Sequence, residues 1–237
     1  MEYAIIAAGE GSRLKQEGFE HSKPMVKINE VTIIERLIRI FSANKAEKIF
    51  IIINEYSLDL KQHLQELSLI YPIEIVYKTT PSSLHSFYEL TSLITANEVC
   101  LATVDTIFNE EEFKSYINEF LSDESLDGLM AATSFIDDES PLYLDTDGAQ
   151  NVKGFYDHYA TGLTLISGGM YCLKRTVFPV VHKAIGEGTS RMRNFQKMLV
   201  EEGKHIKAFP FSKIIDVDHV SDITKAELFL NKPVMAD

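Results

Sequence analysis

"AIIAAGEGSRLKQEGFEHSKPMV", Ala4 to Val26, decides the fold. A continuous apolar run breaks into Gly9 and Gly11, then Ser12 and Arg13. About ten residues on comes Lys23-Pro24. The apolar run has the pattern of a parallel strand buried on both faces. Glycines after such a strand let the backbone approach an anion and aim N–H groups at it. Arginine forks onto phosphate oxygens, and lysine meets a phosphate as a point charge. Pro24 restricts Lys23 to an extended backbone. Two familiar phosphate loops do not fit. A P-loop needs Gly-Lys-Ser/Thr, which is missing here. The dinucleotide fingerprint needs a third glycine where Leu14 stands.

Outward from this loop, strand-like and helix-like segments alternate. "TIIERLIRIFSA" puts Ile33, Ile34, Leu37, Ile38 and Phe41 at helical spacing. "EKIFIII", "IEIVYK" and "EVCLATV" read as buried strands, and "SLDLKQHLQELSL", "LHSFYELTSLI" and "NEEEFKSYINEFL" as the helices between and after them. This alternation predicts a parallel sheet covered on both faces. Asp105 directly follows "EVCLATV", at the carboxyl end of a strand, where open α/β sheets bind ligands. Its simpler reading is a turn or helix cap. The second half is mixed. "DGLMAATSF" reads as a strand, "YLDTDGAQNVKGFY" as a hairpin turning at Thr146-Asp147-Gly148, and "LTLISGGMYCLK" as a strand interrupted by Gly168 and Gly169. Two helices, the strands "HIKAFPF" and "KIIDVD" and a closing helix from about Ser221 complete the chain. The change of pattern near residue 127 divides one domain into a nucleotide-binding half, 1–126, and an acceptor-binding half, 127–237.

Composition narrows the function classes. The chain has 237 residues, 45% of them hydrophobic and 24% charged, enough to bury a sizeable core in one domain. A net charge of −12 argues against a broad nucleic-acid surface. Cys100 and Cys172 lie in apolar runs and read as buried thiols. No apolar run approaches the ~20 residues of a membrane helix. The first residues lack a signal-like stretch, so a cytoplasmic protein is expected. His21, His85 and His219 read as structural or solvent-facing.

"AAGEGSRL", "SKPMV" and the helix "TIIERLIRIF" together resemble the nucleotidyltransferases that make nucleoside-diphosphate sugars and related activated alcohols from a nucleoside triphosphate. The likeness is specific over residues 3–41 and looser over the remainder. It implies a Rossmann-like, three-layer α/β fold with a mixed, mainly parallel sheet. It implies that Ala7, Ala8, Gly9, Gly11 and Ser12 hold the triphosphate, that Arg13 contacts the leaving pyrophosphate, and that Lys23 sits near the reacting phosphates. It implies a Mg²⁺ ion held by Asp105 and by one of the first two aspartates of "DVDHVSD", with Asp218 favoured and Asp216 its rival. Such chemistry suits a cation that takes one or two carboxylates plus phosphate oxygens. Asp222 reads as the helix cap, and Ser221, with Thr224 three residues on, offers no capping box.

Two segments depart from the family pattern. "KTTPSSLHS", Lys78 to Ser86, falls where related enzymes read the nucleobase. Lys78 and Ser83 replace their usual glutamine and glycine, and Ser83 is the candidate nucleotide contact. "NVKGFYDH" lacks the Glu-Lys-Pro of sugar-specific members. "SGGMYCL" matches the segment whose backbone meets the acceptor, which implies a role for Gly168 and Gly169. The expected reaction transfers a nucleoside monophosphate to a phosphorylated acceptor, a sugar 1-phosphate, with pyrophosphate released. A cytidylyltransferase acting on phosphocholine is the alternative within the family. Outside it stand a glycosyltransferase of similar fold and a non-catalytic nucleotide-binding protein.

Overall fold

The computed structural model describes residues 1–9, 11–137 and 139–231. Four parallel strands form its frame: β1 (Glu2–Ala7), β4 (Ile49–Ile53), β5 (Ile73–Tyr77) and β6 (Glu98–Thr103). They lie in the order β6-β1-β4-β5. β1 and β4 are buried along their whole length, which is why they read as unbroken apolar runs. Alternate residues serve opposite faces. Tyr3, Ile5 and Ala7 join one core with Ile49, Ile51 and Ile53, whereas Ala4 and Ile6 join the other with Phe50 and Ile52.

The first core is covered by α2 (Ile33–Ala43), α3 (Leu58–Leu67), α5 (Glu110–Ser122) and α8 (Val220–Leu230). The second is covered by α4 (Ser83–Thr91), α6 (Phe178–Gly186) and α7 (Met192–Glu201). Local chemistry sets the starts of these helices. The Thr32 hydroxyl accepts from the Glu35 N–H at the start of α2, and Asn109 accepts from Glu111 and Glu112 at the start of α5. The three acidic residues of the first turn of α5 face a favourable dipole.

The second half adds β8 (Gly128–Thr133), β9 (Tyr143–Thr146), β10 (Val152–Tyr156), β11 (Leu165–Lys174) and β12 (Ile206–Phe211). β11 pairs antiparallel with β6 and β9 along one edge and with β8 along the other. Nine strands thus share one mixed sheet among the described residues. The β9–β10 hairpin is present, its turn closed by Asp147, which accepts from the Ala149 and Asn151 N–H groups. Cys100 and Cys172 are buried free thiols facing each other across the β6–β11 pair. Among the described residues no helix is long and apolar enough to cross a membrane.

Short elements escaped the sequence patterns. Ser12–Gln16 form a single short helix, α1, and β2 (Lys27–Ile28) pairs with β3 (Val31–Thr32). Lys23 opens a 3₁₀ turn, Lys23–Met25, rather than the extended segment expected before Pro24. Proline fits there because the first turn of a helix needs no N–H from it. β7 (Thr106–Phe108) leaves the main sheet and pairs antiparallel with β13 (Ile214–Asp216).

Candidate active site

Chain order moves outward from β1 to β4 and β5, then returns to β6 on the other side of β1. The crevice at the carboxyl ends of β1 and β6 is therefore a topological switch point. A cavity of about 790 Å³ opens there. Ala8, Gly9, Gly11, Ser12 and Arg13 line it from the first loop, with Lys23, Asp105, Asp218 and Ser83 from elsewhere in the chain. Ala7 is not among its lining residues. It belongs to the core at the end of β1, where alternation turns its side chain into the first hydrophobic cluster.

Gly11 is required by two observations. Its backbone is left-handed, with φ 60°, and a Cβ there would stand 2.7 Å from the Lys23 Cβ. The close approach lets the glycine loop and the Lys-Pro turn share one wall. Lys23 then reaches inward, its side chain only 11% exposed. Its Nζ donates to Asp105 Oδ2 and to Asp218 Oδ1, both at 2.5 Å. Arg13 Nη1 donates to the other oxygen of Asp218 at 2.5 Å. Burial opposes the lysine's charge, but the attraction of Asp105 and Asp218 outweighs it and holds the ammonium well above the usual lysine range. Burial likewise opposes the Asp105 carboxylate, and Lys23 together with the Thr103 hydroxyl brings it below the usual carboxylate range.

Asp105 lies two residues beyond β6, in the turn between β6 and β7. The β7–β13 ribbon brings the second acid to it. Asp216 pairs with Thr106, and the Val217 N–H donates to the Asp105 carbonyl. Asp218 follows into the main cavity, while Asp216 lines a separate small cavity of about 20 Å³ beside Gly168. Gly169 lines neither cavity. Its backbone has φ 73°, and a Cβ would stand 2.6 Å from the Thr103 hydroxyl and 2.8 Å from that of Thr106.

The expectation that Asp222 caps the closing helix needs correction. α8 begins at Val220, so His219 is its N-cap and Asp222 is the third helical residue. From there its carboxylate reaches back to accept from the Asp218 and His219 N–H groups, completing a capping box. A histidine at the N-cap is outside the usual serine, threonine and aspartate signal. His219 Nδ1 lies 2.5 Å from Glu17 Oε1, and the Val220 N–H donates to Glu17 Oε2. The end of α1 is thereby tied to the start of α8. His21 lies 3.5 Å from Asp59, and His85 bonds Ser82.

The far end of the cavity has different chemistry. Asn54, Tyr56, Thr79, Thr80, Ser82 and Ser86 line it, all uncharged. Asn54 Oδ1 accepts from the Tyr56 and Ser57 N–H groups and holds that loop in a turn, leaving Tyr56 81% exposed. Ser83 lies at this end too. Its hydroxyl accepts from the Met192 N–H, and the Ser82 hydroxyl accepts from Arg191 N–H, so both serines connect the loop to α7.

A glycine loop, a cationic pair interlocked with two carboxylates and a neutral, hydroxyl-rich far wall, at the switch point of a mainly parallel sheet, define an α/β nucleotide-handling enzyme. The chain belongs to the nucleotidyl transferase family: the family model described as "Nucleotidyl transferase" matches residues 3–232. It is accordingly an enzyme of nucleotidyl transfer. No curated protein matches the sequence. Solved structures share the fold at low identity. The inositol-1-phosphate CTP transferase from T. maritima has TM-score 0.82 and 15% identity, over 99% of this chain and 98% of that one. A Bacillus anthracis protein described as a glucose-1-phosphate thymidylyltransferase, in complex with a sucrose, has TM-score 0.85 and 13% identity, over 100% and 98%. The CTP:phosphocholine cytidylyltransferase from Streptococcus pneumoniae has TM-score 0.76 and 18% identity, over 97% and 99%.

Proposed function

We propose that the enzyme transfers a nucleoside monophosphate from a nucleoside triphosphate to a phosphorylated small acceptor, a sugar 1-phosphate. A phosphate oxygen of the acceptor attacks the α-phosphorus, the bond from that phosphorus to the bridging oxygen breaks, and pyrophosphate leaves with the electron pair. The nucleophile is already an anion, so no general base is required. Residues 1–126 supply the nucleotide-binding half and residues 127–237 the acceptor-binding half, with Gly168 at the small cavity beside Asp216.

The observation that carries this reading is the polarity of the cavity. Its cations, Arg13, Lys15 and Lys23, all lie at the glycine-loop end, and the opposite wall is neutral. A triphosphate fits the first and a nucleoside the second. Gly9, Gly11 and Ser12 cradle phosphates, while Arg13 and Lys23 neutralise the charge that grows during transfer. Ser83 orients the nucleoside loop through its bond to α7 rather than by meeting the nucleotide alone.

The residues also fit a magnesium ion. Two carboxylates from different segments converge on one cationic nitrogen, a place another cation can take. Among the described residues no group of three or more protein ligands forms, so the rest of a coordination shell falls to phosphate oxygens and water, as Mg²⁺ prefers. Asp105 and Asp218 would hold it, with Asp216 turned to the neighbouring cavity. When bound, the ion supplies positive charge to the phosphates.

A pyrophosphate-release screen tests the proposal, with four triphosphates, a panel of sugar 1-phosphates and phosphocholine, and Mg²⁺. Release with one triphosphate and a sugar 1-phosphate is expected. Release with CTP and phosphocholine would move the acceptor to the phospho-alcohols. Turnover of a finished nucleotide-sugar without pyrophosphate would show a glycosyltransferase.

A further inference from the structure

We infer that Lys15 is an additional substrate-binding residue that holds the terminal phosphates of the triphosphate. The inference rests on the proposed transfer from a nucleoside triphosphate. The charged residues lining the main cavity are Arg13, Lys15, Lys23, Asp105 and Asp218. Four of them neutralise one another: Lys23 bridges both aspartates, and Arg13 pairs with Asp218 and, at 3.5 Å, with Glu139. Lys15 is exposed and, among the described residues, no carboxylate lies within ion-pair distance of it. The interlocked set therefore offers little net attraction to a polyanion, and Lys15 is the lining cation whose charge is uncommitted.

Its direction is built into α1. Leu14 is 1% exposed and anchors the helix in the first core. Glu17, just past the helix, is bonded to His219 and to the Val220 N–H. Held at these two points, α1 has little freedom to rotate. Ser12 and Lys15 stand three residues apart, on one helical face, and both line the cavity. The lysine thus stands one helical turn beyond Ser12, at the glycine-loop end of the cavity. An ammonium there meets the far end of a triphosphate and the pyrophosphate that leaves. It does not meet the α-phosphate that stays with the nucleoside.

Calorimetric titration of the full chain in Mg²⁺ tests this, using the triphosphate identified by the screen, its monophosphate and inorganic pyrophosphate. Lys15→Gln is expected to weaken triphosphate and pyrophosphate binding about tenfold or more, the effect of losing one charge-assisted hydrogen bond. Monophosphate binding should stay at the wild-type value, and Lys15→Arg should retain most of the affinity. Wild-type affinity for all three ligands in Lys15→Gln would overturn the inference while leaving the reaction standing. An equal loss for the monophosphate would overturn the assignment to the terminal phosphates. A wild-type protein that binds no triphosphate would overturn the functional reading and the role of Lys15 together.

Discussion

Lys23 links the structure of the site to the chemistry proposed for it. It is nearly buried and bridges two carboxylates that are themselves only 24% and 33% exposed. Lys23→Met keeps much of the stem but leaves those carboxylates facing each other without a cation. Breaking a buried pair from one side costs about 3–5 kcal/mol, and the partial exposure of both acids reduces this to about 1–3 kcal/mol. The variant should therefore melt lower than wild type in metal-free buffer. Mg²⁺ should raise its melting temperature more than that of wild type, because the ion need not displace an ammonium. Its rate of pyrophosphate release should fall by about 10² or more. Equal Mg²⁺ shifts in the two proteins would remove the carboxylate pair from the metal site. The lysine's pH behaviour follows from its shift. Its charge is held above the ordinary value of 10.5, so any loss of activity on the alkaline side below that pH belongs to another group.

At the scale of elements, the end of the five-residue α1 and the start of the eleven-residue α8 hold the site's loops. Hydrogen bonding to Glu17 raises the His219 imidazole above its ordinary value of 6.5. A raised value in the folded state means that the contribution is complete below pH 6.5 and is lost as pH rises through the folded value. Thermal melts of the metal-free protein should show a fall in stability on the alkaline side of neutrality, and Glu17→Gln should remove it. An unchanged fall in Glu17→Gln would place its origin elsewhere. The start of α1 was not legible in the sequence, because the helix is too short for apolar periodicity. The closing helix, read from about Ser221, begins at Val220, but its histidine N-cap carries no usual signal. β7 was hidden too, three residues between Asp105 and α5 that are too few to show a pattern of their own. By contrast, β1, β4 and β6 were evident because burial on both faces requires continuous apolar residues. The nearness of Arg13 and Lys23 to one site was signalled by motif spacing. The choice between Asp216 and Asp218 needs the β7–β13 register, which no local pattern encodes. Lys15 carried a signal, a second basic residue two positions after Arg13, but only the count of paired charges gives it meaning.

In the whole molecule, both halves share one sheet, and β11 stitches them by pairing with β6 on one edge and β8 on the other. Cys100 and Cys172 sit inside that seam, each with no exposed surface. Burial pushes the Cys100 thiol well above its ordinary value, which further suppresses the reactive thiolate. Neither cysteine should react with a thiol reagent until the sheet opens, so labelling and loss of secondary structure should coincide in a denaturant series. Labelling that runs ahead of unfolding would mean that the β6–β11 seam opens locally.

The bridge made by Lys23 also spans time. Its two carboxylate partners lie 82 and 195 residues further along the chain. On a ribosome, the glycine loop and Lys23 emerge before Asp105, and Asp218 arrives last of the three. Contacts so distant in sequence form late, because the intervening chain must be ordered before its ends can meet. A nascent chain halted after β7 would carry the glycine loop with only one of the two acids. Completion of this charge cluster is therefore a report that the 195-residue span from Lys23 to Asp218 has been synthesised and has closed on itself.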